Sequence, residues 1–118
     1  MKLNVLCIGD VVGRPGRRAV SYLLPVLRRK YSVDLCVLDG ENAAGGRGIT
    51  QQCTRDLFQA GADVITLGNH AFAKKEVYEF IDRDERLIRP FNLPPGNPGF
   101  GKFAFPHQGG PVVVAQLC

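Results

Sequence analysis

Apolar residues between Leu3 and Asp82 switch repeatedly between two kinds of spacing. Three short apolar runs predict buried strands, at Leu3–Gly9, Asp34–Asp39 and Asp63–Leu67. The segment that begins at Pro15 instead has the spacing of a helix face, i, i+3, i+4 and i+7. Its apolar positions are Val20, Leu23, Leu24, Leu27 and Tyr31. A first helix is therefore predicted between the first two strands.

Two more helices are predicted further along the chain. Thr50 is a suitable cap for a helix that ends at Ala60, with Gly61 as its stop. Lys75–Asp82 has the spacing of a third helix, whose inner face carries Val77, Phe80 and Ile81. Strands that alternate with helices in this way favour an α/β fold, a parallel sheet with flanking helices.

After Arg89 the chain is rich in proline and glycine, and its apolar residues have neither helical nor strand spacing. Two short strands, Lys102–Pro106 and Pro111–Leu117, are predicted beyond it, joined by a tight turn at Gly109-Gly110. The second is interpreted as a core strand, and we expect its open edge to favour a homo-oligomer or other association. No closing helix follows it, so residues 1–118 are interpreted as a single, truncated domain.

Composition excludes several other classes of protein. A net charge of +4 and a hydrophobic content of 45% are ordinary for a globular chain. Arginines gather near the first helix without interleaved aromatic residues, so dedicated nucleic-acid binding is not expected. No apolar run could span a bilayer and no leader pattern is present, which predicts a cytoplasmic protein without a membrane partner. Cys7 and Cys36 lie in apolar runs, where we expect buried free thiols.

Polar residues follow each of the first three strands. These segments are Gly9-Asp10, Gly40-Glu41-Asn42 and Gly68-Asn69-His70. Parallel strands bring such ends to one edge of a sheet, and a glycine before each allows a sharp turn or a close approach. Asp10, Glu41 and Asn69 offer oxygen ligands for a divalent metal, and His70 offers an imidazole that titrates near neutral pH. The pattern predicts one shared site.

Other motifs point to no competing chemistry. Gly9–Gly16 lacks both glycine-rich nucleotide fingerprints. The segment Gly45–Gly48 suits either an anion cradle or a simple turn, and the sequence leaves both open. His107 stands alone and is interpreted as structural or exposed.

A family resemblance rests on the same residues. The segments IGDVVGRPGRR (Ile8–Arg18), DGENAAGGRGIT (Asp39–Thr50) and GADVITLGNH (Gly61–His70) resemble the YmdB-type, calcineurin-like bacterial metallophosphoesterases. The resemblance continues collinearly to Gly101. It implies the N-terminal portion of a phosphodiesterase that acts on cyclic nucleotides, a small-molecule phosphodiester substrate. It also implies two divalent metal ions, for which the donor types suit iron or manganese, with magnesium as a further candidate.

The resemblance assigns a role to each site residue. Asp10 would bind one metal, Glu41 would bridge both, and Asn69 would bind the second. Asn42 would lie against the phosphate, and His70 would be the proton donor or a phosphate contact.

The chain departs from the family pattern at several points. Ala71-Phe72-Ala73 replaces the usual Thr-Trp-Asp, Asp39 replaces an asparagine, and Phe91 replaces a small residue. The histidine ligands of the family's later half are absent. We therefore expect weak metal binding and impaired activity. The alternative interpretation is a non-catalytic remnant that binds a nucleotide, another anion or a protein partner.

Overall fold

A four-stranded parallel sheet forms the centre of the computed structural model, which describes residues 2–118. Its strands are β1 (Val5–Ile8), β2 (Leu35–Asp39), β3 (Val64–Thr66) and β4 (Leu87–Ile88), in the spatial order β1-β2-β3-β4. Each crossover passes through helical or turn structure, as parallel pairing requires. The predicted α/β class with a parallel sheet is confirmed.

The sheet register aligns the carboxyl ends of the strands. Ile8 pairs with Leu38, and Asp39 pairs with Thr66. Thr66 in turn pairs with Ile88. The loops that leave β1, β2 and β3 therefore begin at the same edge of the sheet, where open α/β folds bind their ligands.

Both α-helices pack on the same face of this sheet. Helix α1 (Gly13–Lys30) buries Leu24 in the main core. Helix α2 (Gln51–Ala60) buries Leu57 in the same core. The strand residues that point to this core are Cys36, Leu38, Ile65 and Leu87.

The predicted inner face of helix α1 is too wide. Val20 and Leu24 are buried, but Leu23 and Tyr31, which were expected on the same face, are each 56% exposed. Adjacent helix positions are separated by about 100° around the axis. The i, i+4 stripe of Val20 and Leu24 meets the sheet, and Leu23 therefore points away from it.

An antiparallel hairpin covers part of the opposite face. Strands β5 (Lys102–Phe105) and β6 (Val112–Ala115) pair only with each other. A turn joins them, in which the Gly110 N–H donates to the carbonyl of His107 at 3.0 Å. The hairpin packs on Leu35, Val64 and Ile88 through its inward side chains, which are Phe103, Phe105, Val112 and Val114.

The interpretation of Pro111–Leu117 as a core strand is wrong. Strand β6 lies outside the parallel sheet, and its residues alternate between half-buried and exposed. Val113 is 59% exposed and Leu117 is 69% exposed. A run of consecutive valines does not reveal that only one face of the strand meets the core.

Strand β1 is also more exposed than predicted. Leu6 and Ile8 pack against the main core, but Val5 is 47% exposed and Cys7 is exposed. Strand β1 lies at one edge of the sheet, and the hairpin core includes none of its residues. The expectation of a buried Cys7 is therefore wrong, whereas Cys36 is buried and its pKa is raised to about 11 by that burial.

The region after β3 differs from the predicted third α-helix. Residues Lys75–Glu79 form a 3₁₀ helix, in which the Phe80 N–H donates to the Val77 carbonyl at 3.1 Å. The predicted inner residues Val77, Phe80 and Ile81 are nevertheless buried. Strand β4 was not predicted, because two residues are too few to show a period.

Helix α2 begins at the predicted cap. The Thr50 hydroxyl accepts a hydrogen bond from the Cys53 N–H at 3.2 Å. Thr50→Ala leaves this N–H without its partner, and we expect a loss of about 1 kcal/mol in the free energy of unfolding. Urea denaturation measures this loss, and Thr50→Ser, which keeps the hydroxyl, should retain most of the stability. Equal losses in the two variants would contradict the assigned cap.

Two negative findings apply to residues 2–118. Neither helix combines the length and hydropathy needed to cross a membrane. Each of the four cysteines carries a free thiol, in agreement with the expectation stated for Cys7 and Cys36.

Candidate active site

Backbone hydrogen bonds tie the three strand ends to one another. The Val11 N–H donates to the carbonyl of Asp39 at 3.1 Å, and the Gly13 N–H donates to the carbonyl of Asn42 at 3.1 Å. The Gly40 N–H donates to the carbonyl of Thr66 at 2.9 Å. The loops after β1 and β2 are thus joined directly, and the loop after β2 is joined to β3.

Four of the predicted site residues form one continuous chain of side-chain contacts. Asn42 Nδ2 donates to Asp10 Oδ1 at 2.7 Å, and Asn42 Oδ1 lies 2.6 Å from His70 Nδ1. His70 Nδ1 also lies 3.3 Å from Glu41 Oε2. Glu41 and His70 are partly buried, whereas Asp10 is exposed. The predicted convergence therefore brings together residues from all three strand ends.

Asn69 is the predicted site residue that this chain of contacts does not include. It is exposed in the 3₁₀ turn Gly68–His70, between two residues of the site. Its side chain makes no hydrogen bond to any residue of the part that the structure describes.

The contacts determine which nitrogen of His70 carries hydrogen. An ionised Asp10 only accepts, so Asn42 must turn its amide N–H toward that carboxylate. The Asn42 carbonyl oxygen consequently faces His70 Nδ1, and this nitrogen must donate. The Glu41 carboxylate on the same nitrogen favours the same tautomer. His70 Nε2, which makes no hydrogen bond within residues 2–118, is left for a ligand.

Gly68 provides the space for the Glu41 carboxylate. A Cβ at residue 68 would lie 2.5 Å from Glu41 Cδ and closer still to Oε1. The backbone φ of +39° at Gly68 also disfavours any L side chain. The Glu41 carboxylate therefore lies directly against the backbone of the Gly68–His70 turn.

Gly40 and Gly9, which precede Glu41 and Asp10, differ in how much space surrounds them. At Gly40 a Cβ would lie 2.9 Å from Ile65 Cγ2, so close packing requires glycine there. At Gly9 a Cβ would meet nothing within 4 Å. The sharp turn after β1 is made instead by Asp10 itself, at a φ of +31°. Non-glycine residues in this region cost roughly 1–3 kcal/mol and are concentrated at functional sites.

A half-buried carboxyl group, that of Asp39 at the end of β2, directly precedes the second of the three strand-end segments. Burial raises the pKa of Asp39 to about 6, and the nearby carboxylates of Glu41 and Asp10 act in the same direction. The backbone N–H of Glu41 donates to Asp39 Oδ1 at 3.3 Å and opposes this rise in pKa. Asp39, which stands where the family pattern has asparagine, thus adds a titratable group to an edge of the sheet that already carries two carboxylates.

The donor types at this edge suit a divalent metal. No three His, Cys, Asp or Glu side chains of residues 2–118 are grouped as metal ligands. Asp10 and Glu41 are carboxylates at one sheet edge, and Asn69, in the Gly68–His70 turn at the same edge, carries an amide oxygen. Oxygen donors of this kind are preferred by hard divalent cations. Together with the space at Gly68, which keeps the Glu41 carboxylate at the edge, they make the residues present compatible with metal.

The glycine-rich loop is a turn that uses its own N–H groups. The Gly46 N–H donates to the carbonyl of Asn42 at 3.1 Å, and the Gly48 N–H donates to the carbonyl of Glu41. An Arg17 guanidinium N–H donates to the carbonyl of Ala43. Two of the N–H groups that an anion cradle would need therefore already donate to carbonyls of the chain. This favours a simple turn over an anion cradle at Gly45–Gly48.

The segment after His70 contributes apolar packing. Ala71 is buried in the main core, and the Phe72 ring stacks on Tyr78 with centroids 5.2 Å apart. The polar groups of the family pattern are absent from this segment. The contacts that hold the His70 ring come from Asn42 and Glu41 instead.

One further residue of this site was not predicted from the sequence. Gln116, just beyond β6, accepts a hydrogen bond through Oε1 from the Gly68 N–H at 2.6 Å. The two residues are 48 positions apart, and a glutamine after a short strand carries no motif. No pattern in the sequence could have identified it.

The fold is that of an α/β protein with a candidate ligand site at the carboxyl edge of its parallel sheet. The chain belongs to the YmdB-like protein family, whose family model matches residues 6–118. It is 48% identical over 115 residues to the 2′,3′-cyclic-nucleotide 2′-phosphodiesterase of Bacillus subtilis (strain 168). That alignment covers 98% of this chain and 44% of the relative.

Two solved structures share the fold. A protein of Thermus thermophilus described as hypothetical has a TM-score of 0.87 and 44% identity, over 96% of this chain and 44% of that one. A Mycoplasma pneumoniae protein described as a novel phosphatase has a TM-score of 0.89 and 28% identity, over 98% and 42%. The chain thus spans less than half the length of these relatives.

Proposed function

We propose that this chain is the N-terminal part of a metal-dependent phosphodiesterase, folded as one domain, that hydrolyses 2′,3′-cyclic nucleotides. The observation that carries the proposal is the contact chain from Asp10 through Asn42 and His70 to Glu41 at the carboxyl edge of the sheet. The cyclic-nucleotide substrate is supported by the name of the Bacillus subtilis relative.

Asp10, Glu41 and Asn69 are the residues proposed to hold two divalent ions, iron or manganese. When bound, such ions supply an acidified water and neutralise charge on the phosphate oxygens. Glu41 would be held ready for this role by its surroundings, since its carboxylate lies against the Gly68 backbone on one side and near His70 Nδ1 on the other.

Asn42 and His70 are proposed to act on the substrate. Asn42 fixes the His70 ring through Oδ1, which keeps a hydrogen on Nδ1. With Nδ1 occupied, His70 Nε2 is the atom that would take up a proton from solvent water, which gives the imidazolium form, and pass it to the departing sugar oxygen as the phosphorus–oxygen bond breaks. Proton transfer of this kind contributes about 10²–10⁴-fold to a rate.

Hydrolysis of 2′,3′-cyclic AMP in the presence of Mn²⁺ tests the proposal. We expect slow, metal-dependent product formation by the 118-residue chain and none by Glu41→Ala. Glu79→Ala, at an exposed position of the 3₁₀ helix, is the matched control and should keep the wild-type rate. Equal rates for the wild type and Glu41→Ala would contradict the proposal and favour a non-catalytic remnant.

The proposal includes self-association and a cytoplasmic location. Strand β6 pairs on one edge only and exposes Val113, which supports association through its free edge. Four free thiols suit a reducing compartment, which supports the location.

A further inference from the structure

We infer that Gln116 is a positioning residue for the proposed metal site, because it fixes the turn against which the Glu41 carboxylate lies. This inference rests on the proposed function. Gln116 is not in contact with Asp10, Glu41 or His70 through any hydrogen bond of the described chain. It acts through Gly68, whose N–H donates to Gln116 Oε1 at 2.6 Å.

Gln116 is itself held in place at its backbone. Its carbonyl accepts a hydrogen bond from the Phe91 N–H at 2.7 Å, and the residue is half-buried. The preceding strand β6 packs its inward valines on the sheet. The side-chain amide therefore extends from a fixed point, which is the condition for one side chain to orient another group.

Gly68 depends on Gln116 for its hydrogen bond. The first N–H groups of a helix have no partner within it, and Gly68 opens the 3₁₀ turn. Gly68 is buried, and Gln116 Oε1 is the acceptor for its N–H. A buried N–H without a partner is costly, so loss of the glutamine oxygen would shift or loosen the start of the turn.

A displacement of Gly68 would directly change the positions of the Glu41 carboxylate and the His70 ring. Its α-carbon borders the Glu41 carboxylate so closely that no Cβ fits between them. The same turn presents the His70 N–H to Glu41 Oε2 at 3.3 Å, and carries the His70 ring. Gln116 thus fixes the relative position of a proposed metal ligand and the proposed proton donor.

The test compares two substitutions at the same position. Gln116→Met keeps the length of the side chain but removes the oxygen, whereas Gln116→Glu keeps an acceptor. Gln108→Met, in the exposed hairpin turn, is the matched control. NMR hydrogen exchange of the Gly68 N–H, with the Leu67 N–H as an internal reference, gives a readout without metal. The NMR resonances of the His70 ring give a second readout, and Mn²⁺ affinity by calorimetry gives the third.

We expect Gln116→Met to speed Gly68 exchange at least about tenfold relative to Leu67 and to shift the His70 ring resonances. We also expect it to weaken Mn²⁺ binding by about 10–100-fold, the usual cost of losing a group that orients a metal ligand. Gln116→Glu should restore slow exchange, and Gln108→Met should leave all three readouts unchanged.

Two results would overturn the inference. One is unchanged Gly68 exchange and unchanged His70 resonances in Gln116→Met. The other is faster exchange with wild-type Mn²⁺ affinity, which would make the contact structural only. If the wild type bound no Mn²⁺ while Gln116→Met still altered exchange and the His70 resonances, the proposed function would fail and Gln116 would still orient the turn.

Discussion

Replacing Gly68 by alanine is expected to weaken Mn²⁺ binding by at least about 100-fold, the upper end of the losses caused by changes around metal ligands. The physical reason is steric. The new Cβ would lie 2.5 Å from Glu41 Cδ, so the carboxylate must leave its present position. Isothermal titration calorimetry with Mn²⁺ measures the loss, and hydrolysis of 2′,3′-cyclic AMP should fall with it.

The matched control for Gly68→Ala is Gly96→Ala. Both glycines have positive φ angles, +39° at Gly68 and +95° at Gly96, so both substitutions strain the backbone. A Cβ at residue 96 meets nothing within 4 Å, and no carboxylate is displaced. Wild-type Mn²⁺ affinity in a folded Gly68→Ala chain would show that Glu41 does not bind the metal from this position.

Replacing His70 by asparagine is expected to lower kcat by about 10²–10⁴-fold, the range for loss of a positioned proton donor. The asparagine amide nitrogen takes the place of Nδ1, which donates to Asn42, and nothing takes the place of Nε2. Mn²⁺ affinity should therefore change by less than about tenfold. Steady-state hydrolysis of 2′,3′-cyclic AMP at saturating Mn²⁺ measures kcat.

His107→Asn is the control for that substitution. His107 is the other histidine of the chain and lies at the hairpin, in the turn that Gly110 closes. Its replacement should leave kcat and Mn²⁺ affinity at wild-type values. A kcat for His70→Asn equal to that of His107→Asn would remove His70 from the proposed chemistry.

Helical and strand periodicity predicted the elements that are long enough to show it. Helices α1 and α2 and strands β1 to β3 lie where the apolar spacing places them, and Thr50 caps α2 as expected. The errors concern short elements and exposure. Strand β4 has only two residues, and the 3₁₀ helix Lys75–Glu79 buries the same apolar side chains that an α-helix would. The outward face of β1 is exposed because the hairpin does not cover it, which depends on tertiary packing.

Sheet topology predicted which site residues share one edge of the sheet, but not how their side chains contact one another. Parallel strands bring Asp10, Glu41 and His70 to one edge, and this holds whatever the loops do. The order of contacts through Asn42, and the exclusion of Asn69 from them, depends on side-chain orientation that no spacing encodes. Gln116 reaches the site from beyond the hairpin, and only the folded chain shows the contact.

Calorimetric titration of Mn²⁺ into the wild-type chain and into Glu41→Gln tests directly whether a metal binds at this edge of the sheet. Glutamine keeps the size of the side chain but removes the negative charge that would attract a divalent ion. We expect saturable Mn²⁺ binding by the wild type and a loss of at least about 100-fold in affinity in the variant. Equal affinities, or no saturable binding by the wild type, would contradict a metal site at the carboxyl edge of this sheet.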